Sequence, residues 1–179
     1  MRFLDNGPEV PRELVVAQEK GETIFVCGAG VSRTVGLPLF SELVEAIYQR
    51  LGEDWHHHPA EGEAMQARQY DRVLRCLERR LAASDAPRHR SMRERIRSAV
   101  AAALAQPDDA ELADHAALLA LSRDVEGRIR LLTTNFDTLF ERAWLLAHGV
   151  QILSHAGVAL PQPRTTNAMG VLHLHGRQF

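Results

Sequence analysis

Three short apolar runs in this chain each end in a compact polar motif, and their order constrains the fold more than any other feature. Thr23-Ile24-Phe25-Val26-Cys27 leads into Gly28-Ala29-Gly30-Val31-Ser32, and Arg128-Ile129-Arg130-Leu131-Leu132 leads into Thr133-Thr134-Asn135-Phe136-Asp137. Gly170-Val171-Leu172-His173-Leu174 leads into His175-Gly176. Continuous β-rich runs bounded by turn residues predict strands buried on both faces of a parallel sheet. Such a sheet delivers whatever follows its strands to one edge, where open α/β folds bind nucleotides.

Between the strands the apolar spacing is helical. Pro11 to Lys20 predicts a short helix stopped by Gly21, and Ser41 is predicted to cap a helix carrying Leu43, Val44, Ile47 and Leu51, closed by Gly52. From about 55 to 125 the pattern is all helix. Tyr70, Val73, Leu74, Leu77 and Leu81 share one face, a Ser91 to Glu94 capping box precedes Ile96, Val100 and Leu104, and Asp109 to Ser122 forms a third helix. A helix with Leu139, Phe140, Ala143, Trp144 and Leu146 runs to Gly149, Val150 to Leu153 reads as a further short strand, and Pro161-Gln162-Pro163 marks a loop. No Gly/Ser-rich linker flanks the helical stretch. The expectation is one α/β domain over 1–179, a Rossmann-like doubly wound parallel sheet with a helical insertion between the first and second motif strands.

Composition narrows the functional classes. The 179 residues are 45% hydrophobic and 25% charged, enough for a real core. A net charge of −2 gives no general attraction to nucleic acid or anionic lipid, so such a partner would need a local patch. Cys27 and Cys76 form no CxxC and read as reduced thiols of a cytoplasmic protein. No apolar stretch approaches the roughly 20 residues that span a bilayer, and Met1 to Pro11 lacks a signal peptide's apolar core. Ten arginines lie between Arg68 and Arg97, with Arg68, Arg72, Arg75 and Arg79 on one helical stripe. We read them as a solvated face rather than a nucleic-acid or partner surface. His56-His57-His58 are read as no metal site, because adjacent histidines cannot all face one ion.

The glycine motif is not a Walker loop, since no Gly-Lys-Ser/Thr follows, and Arg33 stands where GxGxxG has its third glycine. What remains is a strand-to-helix turn whose backbone N–H groups can approach a phosphate, or simply a tight turn. Ser32 would bond a pyrophosphate or cap the next helix. The second motif puts a carboxamide and a carboxylate at a strand end, where capping is the alternative role of Asn135 or Asp137. The same word recurs as Thr165-Thr166-Asn167 with no strand before it, and is given no function. His175 is predicted to be exposed at a strand end, with Gly176 turning the chain. His173, two residues earlier on the same face, reads as a satisfied core histidine. No GxSxG elbow or credible Cys-His arrangement supports a covalent hydrolase.

Together and in this order, the three motifs resemble the sirtuin (SIR2-like) family. Thr133-Thr134-Asn135, in place of the Thr-Gln-Asn of deacylating sirtuins, is most similar to the bacterial SIR2-like NAD hydrolases of anti-phage defence. The resemblance covers about Thr23 to Gly176. It implies that Gly28, Ala29, Gly30, Val31 and Ser32 cradle the pyrophosphate of NAD, with Thr133 and Thr134 also at the NAD site. Asn135 would position a water near the nicotinamide ribose, Asp137 would fix the nicotinamide end or the loop, and Phe40 would wall the nicotinamide pocket. His175 would take a proton from, or polarise, the ribose hydroxyl or the water. NAD is then a substrate, and the chemistry calls for no metal.

This chain departs from the family where Gly36-Leu37-Pro38-Leu39-Phe40-Ser41 replaces Gly-Ile-Pro-Asp-Phe-Arg, losing the acid and the arginine. It also stops four residues after His175, ahead of where sirtuins place their zinc module and the strands holding the adenosine half. The SIR2-like domain is therefore expected to be C-terminally incomplete, nearly inactive alone and prone to form homo-oligomers through an open sheet edge. A fused or separate sensor domain is the expected partner. The alternatives are an NAD-dependent protein deacylase or ADP-ribosyltransferase, and a catalytically silent nucleotide-sensing or oligomerisation module.

Overall fold

The computed structural model describes residue 2 and residues 5–84, 89–106, 108–161 and 169–177. In chain order its helices are α1 (Arg12–Glu19), α2 (Phe40–Leu51), α3 (Pro59–Gln66), α4 (Tyr70–Ser84), α5 (His89–Ala103), α6 (Ala113–Leu121) and α7 (Leu139–His148). Its strands are β1 (Phe25–Cys27), β2 (Arg130–Thr133), β3 (Ser154–Ala156) and β4 (Gly170–His173). Two compact units result. Met1–Val31 with Asp109–Phe179 holds the sheet, and Ser32–Asp108 is helical. The helical unit thus takes in α2 and leaves α6 with the sheet, whereas the sequence places the helical stretch at about 55–125.

The sheet is all parallel, in the order β1-β2-β4-β3. This is the expected Rossmann-like α/β fold, with helices inserted between β1 and β2. Cys27 pairs with Thr133, Thr133 with His173, and His173 with Ala156. Each is the last residue of its strand, so all four strands end level and their following loops leave the same edge. The face bearing this row is covered, with Leu131 and Val171 two residues earlier also buried. Helix α7 turns Leu139, Phe140 and Ala143 into the core, and α6 lies beside it with the His115 and Phe140 rings 4.9 Å apart. Gly149, with φ +70°, ends α7 in the left-handed conformation that suits glycine.

Four local expectations are corrected. β1 is not buried on both faces: Ile24 is 56% and Val26 68% exposed, while Cys27, on the opposite side by strand alternation, is buried. β1 stands at one end of the sheet order, and the sheet face that carries Val26 is left uncovered there. The strand expected at Val150 to Leu153 forms instead at Ser154–Ala156, where pairing with β4 fixes its extent. Helix α2 starts at Phe40, ahead of the predicted Ser41 cap, because the Leu39 N–H donates to Glu42 Oε2 at 2.8 Å. That bond, helped by Arg33, holds the Glu42 carboxyl below its usual range. Helix α5 begins at His89, ahead of Ser91. Gln162, Pro163 and the repeated Thr165-Thr166-Asn167 lie outside the described residues.

The helical unit packs Val44, Ile47 and Tyr48 of α2 with Ala64 of α3 and Val73 and Leu77 of α4. Buried Glu61 accepts hydrogen bonds from the Tyr48 hydroxyl at 2.7 Å and from Arg80 at 2.7 and 3.1 Å, and Arg80 reaches Glu53 at 2.8 Å. Arg72, Arg75 and Arg79 occupy the exposed side of α4, opposite Leu77, but Arg68 is not on that stripe, because it precedes the helix with φ +56°. Asp54 lies 2.6 Å from His56 and 3.1 Å from His57, a carboxylate contact the sequence reading did not anticipate.

Candidate functional site

The parallel ladder continues one residue past the strand ends. The Thr134 N–H donates to the Cys27 carbonyl at 3.0 Å and the Leu174 N–H to the Thr133 carbonyl at 2.9 Å. These bonds set the second motif between the first and the third. In the first motif the Val31 N–H donates to the Gly28 carbonyl at 3.1 Å, closing a tight turn. Gly28 faces Thr134, whose Oγ1 would stand 3.6 Å from a Cβ there. A Cβ on Gly30 would meet nothing within 4 Å, and Gly30 has no positive φ. The fold of this unit therefore does not require glycine at position 30.

In the second motif, Asn135 is 6% exposed. Its N–H donates to Thr133 Oγ1 at 3.0 Å, a side-chain turn at the strand end, and its carbonyl lies 3.2 Å from His173 Nδ1. Asp137 is also buried, and its Oδ1 accepts the Leu139 N–H at 3.2 Å. The N-cap of α7 is Thr138, without a side-chain cap bond, so Asp137 does not take the capping role weighed for it but closes a side-chain turn leading into the helix. Its charge also acts on His115, whose imidazole is pushed below its usual value by burial, with Asp137 and then Asp114 opposing.

His173 is fully buried, and His175 is exposed beyond it. Gly176, with φ +88°, turns the chain as expected. The His173 ring is satisfied on both sides, since Nε2 lies 2.8 Å from Glu141 Oε1. That oxygen also accepts the Ser154 hydroxyl at 2.5 Å, and Arg177 donates to Ser154 Oγ at 2.9 Å. Burial works to raise the Glu141 carboxyl, but hydrogen bonds from His173 and Ser154 outweigh it and hold the group below its usual range. Sequence reasoning missed Glu141, Ser154 and Arg177. Glu141 and His173 are 32 residues apart, and no local spacing signals such a pair.

The structure brings Gly28, Thr133, Thr134, Asn135 and Asp137 together at one sheet edge, with Ala29, Gly30, Val31 and His175 on the same loops. Ser32 and Phe40 belong to the helical unit. Ser32 is buried at the start of a 3-10 turn, Ser32–Val35, and its carbonyl accepts the Leu37 N–H at 3.1 Å. Phe40 opens α2, its ring 5.7 Å from Tyr70. Among the described residues no cluster of histidine, cysteine and carboxylate groups is arranged to hold a metal ion. Among them, no helix is long and apolar enough to cross a membrane. Cys27 and Cys76 are both free thiols.

No family model matches this chain, and no solved structure matches it. A curated protein of Sinorhizobium fredii (strain NBRC 101917 / NGR234), "Uncharacterized protein y4cA", is 42% identical over 180 residues. The match covers 99% of this chain and 14% of that protein, so the chain spans a small part of the length of the curated relative it matches.

Proposed function

We propose that this chain is a SIR2-like NAD hydrolase domain that cleaves the bond between nicotinamide and ribose. The observation that carries the reading is the level ending of the strands. The glycine turn, the Asn135 loop and the His175 loop leave one edge side by side, joined by the bonds from Thr134 to Cys27 and from Leu174 to Thr133. That edge is where a parallel α/β sheet receives a dinucleotide. Gly28, Ala29 and Gly30 offer main-chain N–H groups to the pyrophosphate, Val31 closes the turn that presents them, and Thr133 and Thr134 frame the same edge.

Departure of nicotinamide leaves positive charge spread over the ribose C1′–O4′ bond, and a dipole beside it lowers the barrier. The Asn135 carboxamide supplies that dipole and orients the attacking water. His175, exposed at the edge, accepts the proton as the water oxygen bonds to C1′, giving ADP-ribose. Asp137 serves the site indirectly, by bonding the Leu139 N–H and fixing the loop that leads into α7. The pyrophosphate and nicotinamide roles of Ser32 and Phe40 rest on the resemblance alone, both residues belonging to the helical unit. On the same resemblance the protein is a cytoplasmic, homo-oligomeric anti-phage effector that depletes NAD, coupled to a sensor domain.

The test is incubation with NAD, nicotinamide release being followed with and without an acyl-lysine peptide. Both this chain and its Sinorhizobium relative at full length are assayed. Release without peptide supports the hydrolase. Release that needs the peptide overturns it in favour of a deacylase, and NAD binding without release in favour of a silent nucleotide-sensing module.

A further inference from the structure

We infer that His173 is held as an imidazolium ion and that, anchored by Glu141, it is a positioning residue for Asn135. Nδ1 faces the main-chain carbonyl of Asn135 at 3.2 Å and Nε2 faces Glu141 Oε1 at 2.8 Å. A carbonyl oxygen only accepts, and an ionised carboxylate only accepts. A neutral imidazole carries one N–H, so it would turn a lone pair toward one of these oxygens. The ring is fully buried, leaving no exposed surface at which water could relieve that clash. Protonation at both nitrogens satisfies both contacts.

The counter-charge is Glu141, which one other cation, Arg177, shares, its guanidinium working against a second positive charge beside it. Glu141 on α7 provides the counter-charge at Oε1, and the Ser154 hydroxyl of β3 donates to the same oxygen. Arg177, after β4, lies 3.6 Å from that oxygen and donates to Ser154 Oγ. Glu141 Oε2 is buried with no hydrogen-bond partner among the described residues, so the carboxylate works through Oε1. The neighbouring titratable group on α6 is His115, which answers to Asp137 and Asp114. The resulting chain runs from Arg177 through Ser154, Glu141 and His173 to the Asn135 carbonyl. It grips the second motif by its main chain and leaves the Asn135 carboxamide out of that grip.

The charge state stands apart from the NAD reading, whereas the consequence for turnover rests on it. The test is nitrogen-15 NMR of the purified chain near pH 7, with His173 assigned through bonds from its main-chain neighbours Leu172 and Leu174. Proton-bearing shifts at both ring nitrogens are expected. An unprotonated ring nitrogen overturns the inference, and this measurement needs no variant to fold. Glu141→Gln should cost the ring one proton at that pH and shift the Asn135 amide, and Glu141→Asp should restore both. An Asn135 amide unmoved in Glu141→Gln, with the ring proton lost, overturns the positioning role. In the turnover assay, Glu141→Gln should lower kcat more than it raises KM. Absence of any turnover in the unsubstituted complete protein would remove the NAD reading and leave the NMR result to decide this one.

Discussion

The rings of Phe136 and His175 stand 6.4 Å apart between centroids, their planes tilted by 39°. The second and third motifs therefore meet beyond the ends of β2 and β4. His175 is exposed there, while His173, two residues earlier, is fully enclosed. On the proposed reading, His175→Ala abolishes nicotinamide release. Because the side chain is exposed, stability should change by no more than about 0.5 kcal/mol. Near-normal turnover in a folded His175→Ala protein would remove the catalytic assignment.

Asn135 gives a sharper separation of chemistry from folding. Its bonds to Thr133 and His173 are both made by main-chain atoms, so truncating the side chain leaves them in place. Asn135→Ala should keep the loop, lose turnover and lose little NAD affinity, as befits a group that acts mainly in the transition state. Calorimetry and nicotinamide assays on one preparation check this. A parallel fall in affinity and turnover would recast Asn135 as a binding residue.

Gly30 is the converse case. A side chain there meets nothing of this chain within 4 Å, and the backbone conformation does not call for glycine. Gly30→Val should therefore fold with an unchanged melting temperature and fail to bind NAD, its methyl groups occupying the approach to the pyrophosphate. Normal NAD binding by the valine protein would show that the turn does not cradle a phosphate.

How much of this was legible follows from how local each determinant is. The sites of β1, β2 and β4, the Gly52 and Gly149 helix ends and the exposed place of His175 are written in runs of a few neighbouring residues. The start of β3 is not, because Ser154 pairs with Val171 across the intervening chain. Nor is the start of α2, where the Glu42 carboxylate captures the Leu39 N–H and outcompetes a serine cap. The exposure of Val26 depends on what covers that face of the sheet, which an apolar run cannot specify. The Glu141–His173 pair joins a helix to a strand, and nothing in the spacing of either announces it.

Two buried groups, His115 and Glu141, lose stabilising contributions as pH falls. His115 has its folded value lowered, so the unfolded chain binds its proton first as pH falls through about 6.5, and the stability His115 contributes above that point declines. Glu141 is also lowered. Its contribution is complete above about 4.5, the ordinary carboxyl value, and is lost as pH falls through the depressed folded value. Melting temperatures between pH 7 and 5 should fall more steeply in the natural protein than in His115→Gln. Equal slopes would mean that His115 does not contribute in that range.

The last prediction concerns the helical unit alone. Glu61 of α3 is 2% exposed and takes its bonds from Tyr48 of α2 and Arg80 of α4. Burial, with the Glu61 carboxylate next to it, also pushes the Tyr48 phenol well above its ordinary value, so the hydroxyl stays a donor. Arg80→Ala removes the counter-ion and leaves a buried carboxylate with only that hydroxyl. Breaking a buried pair from one side costs about 3–5 kcal/mol, whereas replacing both charges by groups of similar shape is close to neutral. Urea unfolding should accordingly show a large loss for Arg80→Ala and a smaller one for the double variant Arg80→Met with Glu61→Gln. A loss below about 1 kcal/mol for Arg80→Ala would show that water reaches Glu61 and that the network does not hold the three helices together.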